Sequence, residues 1–307
     1  MSCLRLVAGA ASMLALFALA GCPERSPLAN DPGAADEQLF QDGLALYDAT
    51  PPDFAGAQAK FEELVATYPD SARADNAAYL GGRCQYELGL YDAAIASFAA
   101  MRAAYPVSPF LSSSAYFTGR SRFQLAAYVA SIADFEQAVA DDPAATYSDN
   151  AAYYIGRANY EVAQLSAAIA AFEQFETSYP DSSYLDNGLY YHGRCYFDQG
   201  LFADALPSFQ SVLAFAGSNY ADNAQYYGAR CQYALGQLAE ALTSFEALLA
   251  DYAGSQYLDN ALYYEARIAV DQGDCAAAQA ALDELTSTYP ASPEISFATN
   301  YLANGGC

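Results

Sequence analysis

The stretch YPDSSYLDNGLYYHGRCYFDQGLFADALPSF, residues 179–209, decides the fold. It carries a tyrosine and an arginine four residues apart, Tyr190 and Arg194. The same pair recurs at Tyr79/Arg83, Tyr116/Arg120, Tyr153/Arg157, Tyr226/Arg230 and Tyr263/Arg267. Successive tyrosines are 37, 37, 37, 36 and 37 residues apart. A period of that length belongs to stacked supersecondary units, each burying its apolar face on the next, and not to one compact core.

The ruler inside each repeat is fixed. It starts three residues before each tyrosine, at Asn76, Ser113, Asn150, Asn187, Asn223 and Asn260. A small residue follows 18 positions later (Ala94, Ser131, Ala168, Ala205, Ala241, Ala278), and a large apolar one 22 later (Phe98, Phe135, Phe172, Phe209, Phe245, Leu282). The one 36-residue step reads as a shorter loop after Phe209, where FAGSNYADN replaces the YPDSSYLDN type of linker. Rigid units with adjustable connections predict two helices per repeat. On the first, the recurring residues fall at i, i+3, i+7 and i+10; on the second, Ala94, Phe98 and Met101 fall at i, i+4 and i+7.

Local signals mark the ends of both helices. Ser71, Ser108 and Ser182, each two residues after a proline, are placed to cap the first helix. Gly89, Gly200, Gly236 and Gly273 suit the left-handed residue that ends it. Tyr68-Pro69, Tyr105-Pro106, Tyr179-Pro180 and Tyr289-Pro290 end the second helix, because proline cannot continue it. An earlier unit shows at Tyr47, Phe54, Ala57, Phe61 and Tyr68, 37 residues ahead of its counterparts. The expectation is seven helical hairpins over 36–293, closed by 294–307.

The chain begins differently. Met1–Arg5 precede an apolar run, Leu6–Ala20, too short to cross a bilayer as a helix. Leu19-Ala20-Gly21-Cys22 then matches a bacterial lipobox, so residues 1–21 read as a lipoprotein signal peptide and Cys22 as the lipidated residue. An aspartate after that cysteine retains a lipoprotein in the inner membrane of Gram-negative cells; Pro23 stands there instead, which favours the outer membrane, facing the periplasm. Residues 22–35, with three prolines, read as a flexible tether. Of 12 basic and 36 acidic residues the mature chain keeps 11 and 36, a formal charge of −25. A surface that acidic repels nucleic acid and anionic headgroups, leaving Cys22 as the sole membrane attachment.

These repeats resemble the tetratricopeptide repeat. The pattern is carried by Gly82, Gly89, Ala94, Phe98 and Pro106, and again by Gly193, Gly200, Ala205 and Phe209. The resemblance implies an all-α, right-handed superhelical solenoid whose first helices line a concave groove. Residues 179–209 look especially like repeats of BamD-type outer-membrane assembly lipoproteins and of the Tol-Pal-associated YbgF (CpoB) proteins. The latter carry an N-terminal coiled coil that is absent here, so the first likeness is the stronger. It implies a scaffold that binds protein or peptide partners in an envelope assembly complex; a Tol-Pal or cell-division coordinator and a pilotin-like secretin chaperone are the alternatives.

In such a groove the six Tyr/Arg pairs would form a ladder. Guanidinium forks suit carboxylates and tyrosine supplies rigid amphipathic area, which points to an extended or helical ligand with acidic groups. A second reading is structural: Glu87, Glu161, Asp198 and Asp271 lie four residues after an arginine, and Asp75, Asp149, Asp186, Asp222 and Asp259 precede each repeat's first asparagine. Either set could clip the arginines in place.

Enzymatic signals are weak. His192 is the one histidine, leaving no partner for a metal pair, and no phosphate loop or nucleophile elbow appears; neither cofactor nor metal is expected. Cys84, Cys195 and Cys231 share one helix position and read as small packing residues. Cys275, at the last hairpin's turn, and Cys307, at the end of the chain, could staple the C-terminal cap in an oxidising periplasm.

Overall fold

The ruler becomes a helical hairpin. A computed structural model describes residues 32–307, and among them it shows fifteen helices and no strand. Seven hairpins run α1 (Pro32–Tyr47) and α2 (Phe54–Thr67), α3 (Ala74–Glu87) and α4 (Tyr91–Ala104), α5 (Leu111–Gln124) and α6 (Tyr128–Asp141), α7 (Ser148–Glu161) and α8 (Leu165–Ser178). They continue with α9 (Leu185–Asp198) and α10 (Phe202–Val212), α11 (Ala221–Ala234) and α12 (Leu238–Asp251), α13 (Leu258–Asp271) and α14 (Cys275–Thr288). A last helix, α15 (Glu294–Gly305), closes the stack. The signal peptide and Cys22 lie outside the described residues. Helix α1 begins at Pro32, so the last residues of the stretch read as tether are helical.

Each helix packs on the next in sequence, and successive first helices also touch (α3 on α5, α5 on α7, α7 on α9, α9 on α11, α13 on α15). The second helices make no comparable contact with one another. The first helices therefore line the inner side of the curved stack. Phe98, Phe135, Phe172, Phe209 and Phe245 are fully buried between their own hairpin and the next. Each such ring is worth about 1.5–3 kcal/mol of burial. Glycine on the facing inner helix makes room: a Cβ on Gly156 would stand 2.5 Å from the Phe172 ring, and one on Gly82 2.7 Å from Phe98.

Three expectations need correction. The turn of the first hairpin is longer, 48–53 against 88–90 in the second, and Gly43 faces Phe61 as Gly82 faces Phe98, so the register of α1 runs 39 residues ahead of α3, not 37. Tyr47 packs on Phe54 (5.4 Å) as Tyr86 packs on Tyr91 (5.6 Å), and Phe40 and Leu44 occupy the tyrosine and arginine positions. The serines do not cap their own helices. Ser71, Ser108 and Ser182 instead donate to Asp36, Asp75 and Asp149 of the preceding inner helix, and Ser292 does the same to Asp259. Each also accepts from the backbone N–H two residues on, which fixes the linker as it enters the next helix. The 36-residue step does not come from a shorter loop: α10 ends early, at Val212, and the connection through Gly217 that follows is longer than the one after α8.

The turn between paired helices is left-handed in six hairpins. Gly89, Gly200, Gly236 and Gly273 hold φ between +73° and +77°, but Ala126 and Ala163 take the same role at +56° and +57°. An L-residue there pays roughly 1 kcal/mol that glycine does not. Ala126→Gly and Ala163→Gly should each raise stability by about 0.5–1 kcal/mol, less the extra entropy glycine gives the unfolded chain. Urea unfolding measures this, and a loss of stability in both variants would contradict the assignment.

Candidate functional site

The tyrosines of the ladder belong to the core. Tyr79, Tyr116, Tyr153, Tyr190 and Tyr226 are only 2–6 % exposed, and Tyr263 is half-buried. Each of the five packs on an aromatic ring at the start of the next inner helix: four stack, on Phe110 (5.1 Å), Tyr147 (4.9 Å), Tyr220 (4.4 Å) and Tyr257 (4.2 Å), and Tyr153 meets Tyr184 at 5.1 Å with the rings tilted by 40°. They offer a ligand almost no area, which corrects the expectation that they line the groove. Tyrosine tolerates this burial because its hydroxyl can bond at the edge, as Tyr79, Tyr116 and Tyr190 do by accepting from Arg83, Arg120 and Arg194. Burial pushes the Tyr79 hydroxyl up to about 12, with Arg83 partly opposing it.

The arginines sit at the seams between repeats. Arg83 lies over the ring of Phe117 at 3.9 Å, Arg120 over Tyr154 at 4.6 Å, Arg157 over Tyr191 at 3.7 Å and Arg194 over Tyr227 at 4.2 Å. Arg267 lies over Tyr301 of α15 at 4.7 Å. Rings of the preceding repeat approach as well: Tyr86 and Tyr160 stand 5.8 and 5.9 Å from Arg120 and Arg194, and Phe197 and Tyr233 stand 4.7 and 4.8 Å from Arg230 and Arg267. A guanidinium between rings of neighbouring repeats gains cation–π attraction on flat faces that water would otherwise hydrate poorly. The rings that carry this stack immediately follow the ladder tyrosines. The doublets at 116–117, 153–154, 190–191, 226–227 and 263–264 were the available sequence signal.

Acids complete the seam. Arg83 pairs with Glu87 (3.2 Å), Arg157 with Glu161 (2.5 Å) and Arg194 with Asp198 (3.4 Å). The same row links repeats, because Tyr160 donates to Asp198 (2.8 Å) and Tyr233 to Asp271 (2.6 Å). Asp75, Asp149 and Asp259 serve the serine straps and are not arginine partners. What reaches solvent is the rim of each guanidinium: the side chains of Arg83, Arg157 and Arg194 are 16–20 % exposed.

Two features stand apart from the ladder. Cys275 and Cys307 are joined by a disulfide that ties the end of α15 to the start of α14. Cys84, Cys195 and Cys231 are buried free thiols, pushed up to about 12 by burial and therefore inert. On the outer side His192 bonds through Nδ1 to Glu176 at 2.8 Å. The equivalent residue two repeats later is Glu265, raised to about 7 by burial, with Glu246 and Glu284 adding to the rise.

Two family models tile the repeats. The one described as outer membrane lipoprotein, YfiO, matches residues 110–262, and the tetratricopeptide repeat model matches 43–109 and 263–302. The chain is a tetratricopeptide-repeat protein that resembles the outer membrane lipoproteins. Such repeats are protein-interaction scaffolds. Among solved structures, the C-terminal part of a repeat protein from Cytophaga hutchinsonii superposes with a TM-score of 0.65 at 20% identity, covering 87% of this chain and 98% of that one. The pilF protein of Pseudomonas aeruginosa gives 0.54 at 16% identity, covering 74% and 97%. YrrB, described as having an unusual peptide-binding site, gives 0.52 at 17%, covering 61% and 91%. These likenesses establish the fold. No curated protein matches the sequence. Among the described residues no helix is long and apolar enough to cross a membrane.

Two measurements follow from this geometry. In a double-mutant cycle, Arg157→Gln and Tyr191→Leu should couple by about 0.5–2 kcal/mol, the range of a partly desolvated cation–π pair. Additive effects would mean that the stack contributes nothing. For Glu265, the folded carboxyl keeps its proton to a higher pH than the unfolded one. Its favourable contribution is therefore complete below about pH 4.5 and lost as the pH rises through about 7. Glu265→Gln should lose less stability than the wild type between about pH 5 and pH 8. Parallel pH profiles would contradict this.

Proposed function

We propose that this protein is a lipid-anchored scaffold of the bacterial outer membrane that holds a protein partner on the inner-helix face, in an envelope assembly complex of the BamD type. The observation that carries the reading is the match of the central repeats, 110–262, to the outer membrane lipoprotein family. Cys22 within its lipobox would supply the anchor, and the proline-containing tether would hold the solenoid off the membrane. The acidic surface argues against lipid headgroups or nucleic acid as the ligand of the groove, and peptide binding by YrrB supports a peptide segment there. The contact surface is then the rim of the arginine ladder, since the tyrosines are buried. The scaffold needs no catalytic group.

The test uses the full-length chain expressed in a Gram-negative host. Wild-type protein should fractionate with outer membranes and carry acyl label. Cys22→Ser should carry none and leave the membrane fraction. Cross-linking followed by affinity capture should recover an envelope protein with the wild type, and much less of it with the ladder variant Arg120→Gln/Arg157→Gln/Arg194→Gln/Arg230→Gln at a temperature where that variant is folded. Acyl label persisting in Cys22→Ser would reject the anchor. Equal capture by the arginine variant would reject the groove.

A further inference from the structure

Basic residues are scarce in this chain, 12 against 36 acids. Among the described residues, Lys60, Arg73, Arg83, Arg102, Arg122, Arg157 and Arg194 each make an ion pair. The remaining bases, Arg120, Arg230 and Arg267, are all rungs of the ladder. Arg267 still has an acid four residues on, Asp271, whose oxygens accept from Tyr233 and Tyr301. Arg120 and Arg230 do not. At the acid position they have Gln124 and Ala234, where the other four rungs carry Glu87, Glu161, Asp198 and Asp271. Glu294 acts on Arg230 only from beyond ion-pair distance.

Both guanidiniums are half-buried and held by rings, Arg120 by Tyr154 and Tyr86, Arg230 by Phe197. Stacking occupies the flat faces and leaves in-plane N–H donors at the rim. Arg120 spends one of them on the Tyr116 hydroxyl at 2.7 Å. A charged donor set held rigidly and left without a counter-ion, in a chain with three acids for every base, is complementary to a carboxylate brought by another molecule.

We propose that Arg120 and Arg230 are the two carboxylate anchors for an acidic peptide segment of the partner lying along the inner-helix face. This rests on the reading of that face as the docking groove. The rungs between them, Arg157 and Arg194, are already neutralised by Glu161 and Asp198. The segment therefore carries acids at its two ends and none in its middle, where those carboxylates would repel them. Three repeats separate the anchors. At about 8–10 Å per packed helix and about 3.3 Å per extended residue, the two acids are roughly eight or nine residues apart.

The experiment adds the missing acids instead of removing the arginines. Gln124→Glu and Ala234→Glu place a carboxylate four residues after each anchor, the arrangement already present at Arg83 and Arg157, so the stack is kept. The probes are amidated, acetylated peptides of glycine, serine and tyrosine bearing two glutamates at varied spacing. They are titrated into the full chain at low salt while the arginine Nε–Hε signals are followed by NMR. Signals of Arg120 and Arg230 should shift, binding should be tightest near the eight- or nine-residue spacing, and the double variant should bind at least tenfold more weakly with an unchanged or higher Tm. Binding that ignores spacing, or persists in the double variant, overturns the anchors. If no peptide binds the wild type while partner capture through the ladder persists, the anchors fall and the groove stands. If capture fails as well, both fall.

Discussion

A planar cation laid between aromatic rings is the interaction on which this stack depends. A solenoid has no central core, so each repeat must be held by its neighbours alone. Phenylalanines such as Phe172 supply the apolar part of that hold, but apolar packing by itself leaves room for sliding. The arginine adds direction. Arg157 reaches the Tyr191 ring at 3.7 Å from one repeat to the next, and its edge is fixed by Glu161. Lysine could not replace it, since a compact, strongly hydrated ammonium has no flat face to stack.

The same constraint orders the electrostatics. With so many acids, the inner face would repel itself if they fell at random. Instead its acids are placed where a cation or a hydroxyl meets them: Glu161 on Arg157, Asp198 between Arg194 and Tyr160, Asp271 between Tyr233 and Tyr301. The ends of the solenoid differ as this scheme requires. The first hairpin has Leu44 in the arginine position, and α15 keeps only Tyr301, the ring that receives Arg267. The disulfide then holds that last ring's helix in place.

Much of this was legible in the sequence, because spacing inside the repeat is invariant. The hairpins, the buried phenylalanines and the positive-φ glycines follow from period and residue type alone. The role of the ladder tyrosines did not, since an amphipathic ring suits a groove as well as a core, and only the aromatic at the start of the next helix decides. The serine straps were missed because Ser108 and Asp75 lie 33 residues apart, while capping looks only locally. The register of Tyr47 was misread because the first turn is longer than the others and shifts α1 without shifting α2.

The ladder thus does two jobs with one residue type: Arg83, Arg157 and Arg194 are closed by an acid and hold repeats together, while Arg120 and Arg230 have no acid partner. Its structural role is tested most directly by residue-resolved native-state hydrogen exchange on the variant Arg157→Gln/Arg194→Gln. If stacked arginines couple neighbouring repeats, α1–α6 and α11–α15 should exchange with opening free energies that differ from each other, where the wild type shows a shared value for its slowest amides. Slowest amides that stay uniform along the variant, weakened equally or not at all, would contradict the claim that the arginine seam joins the repeats.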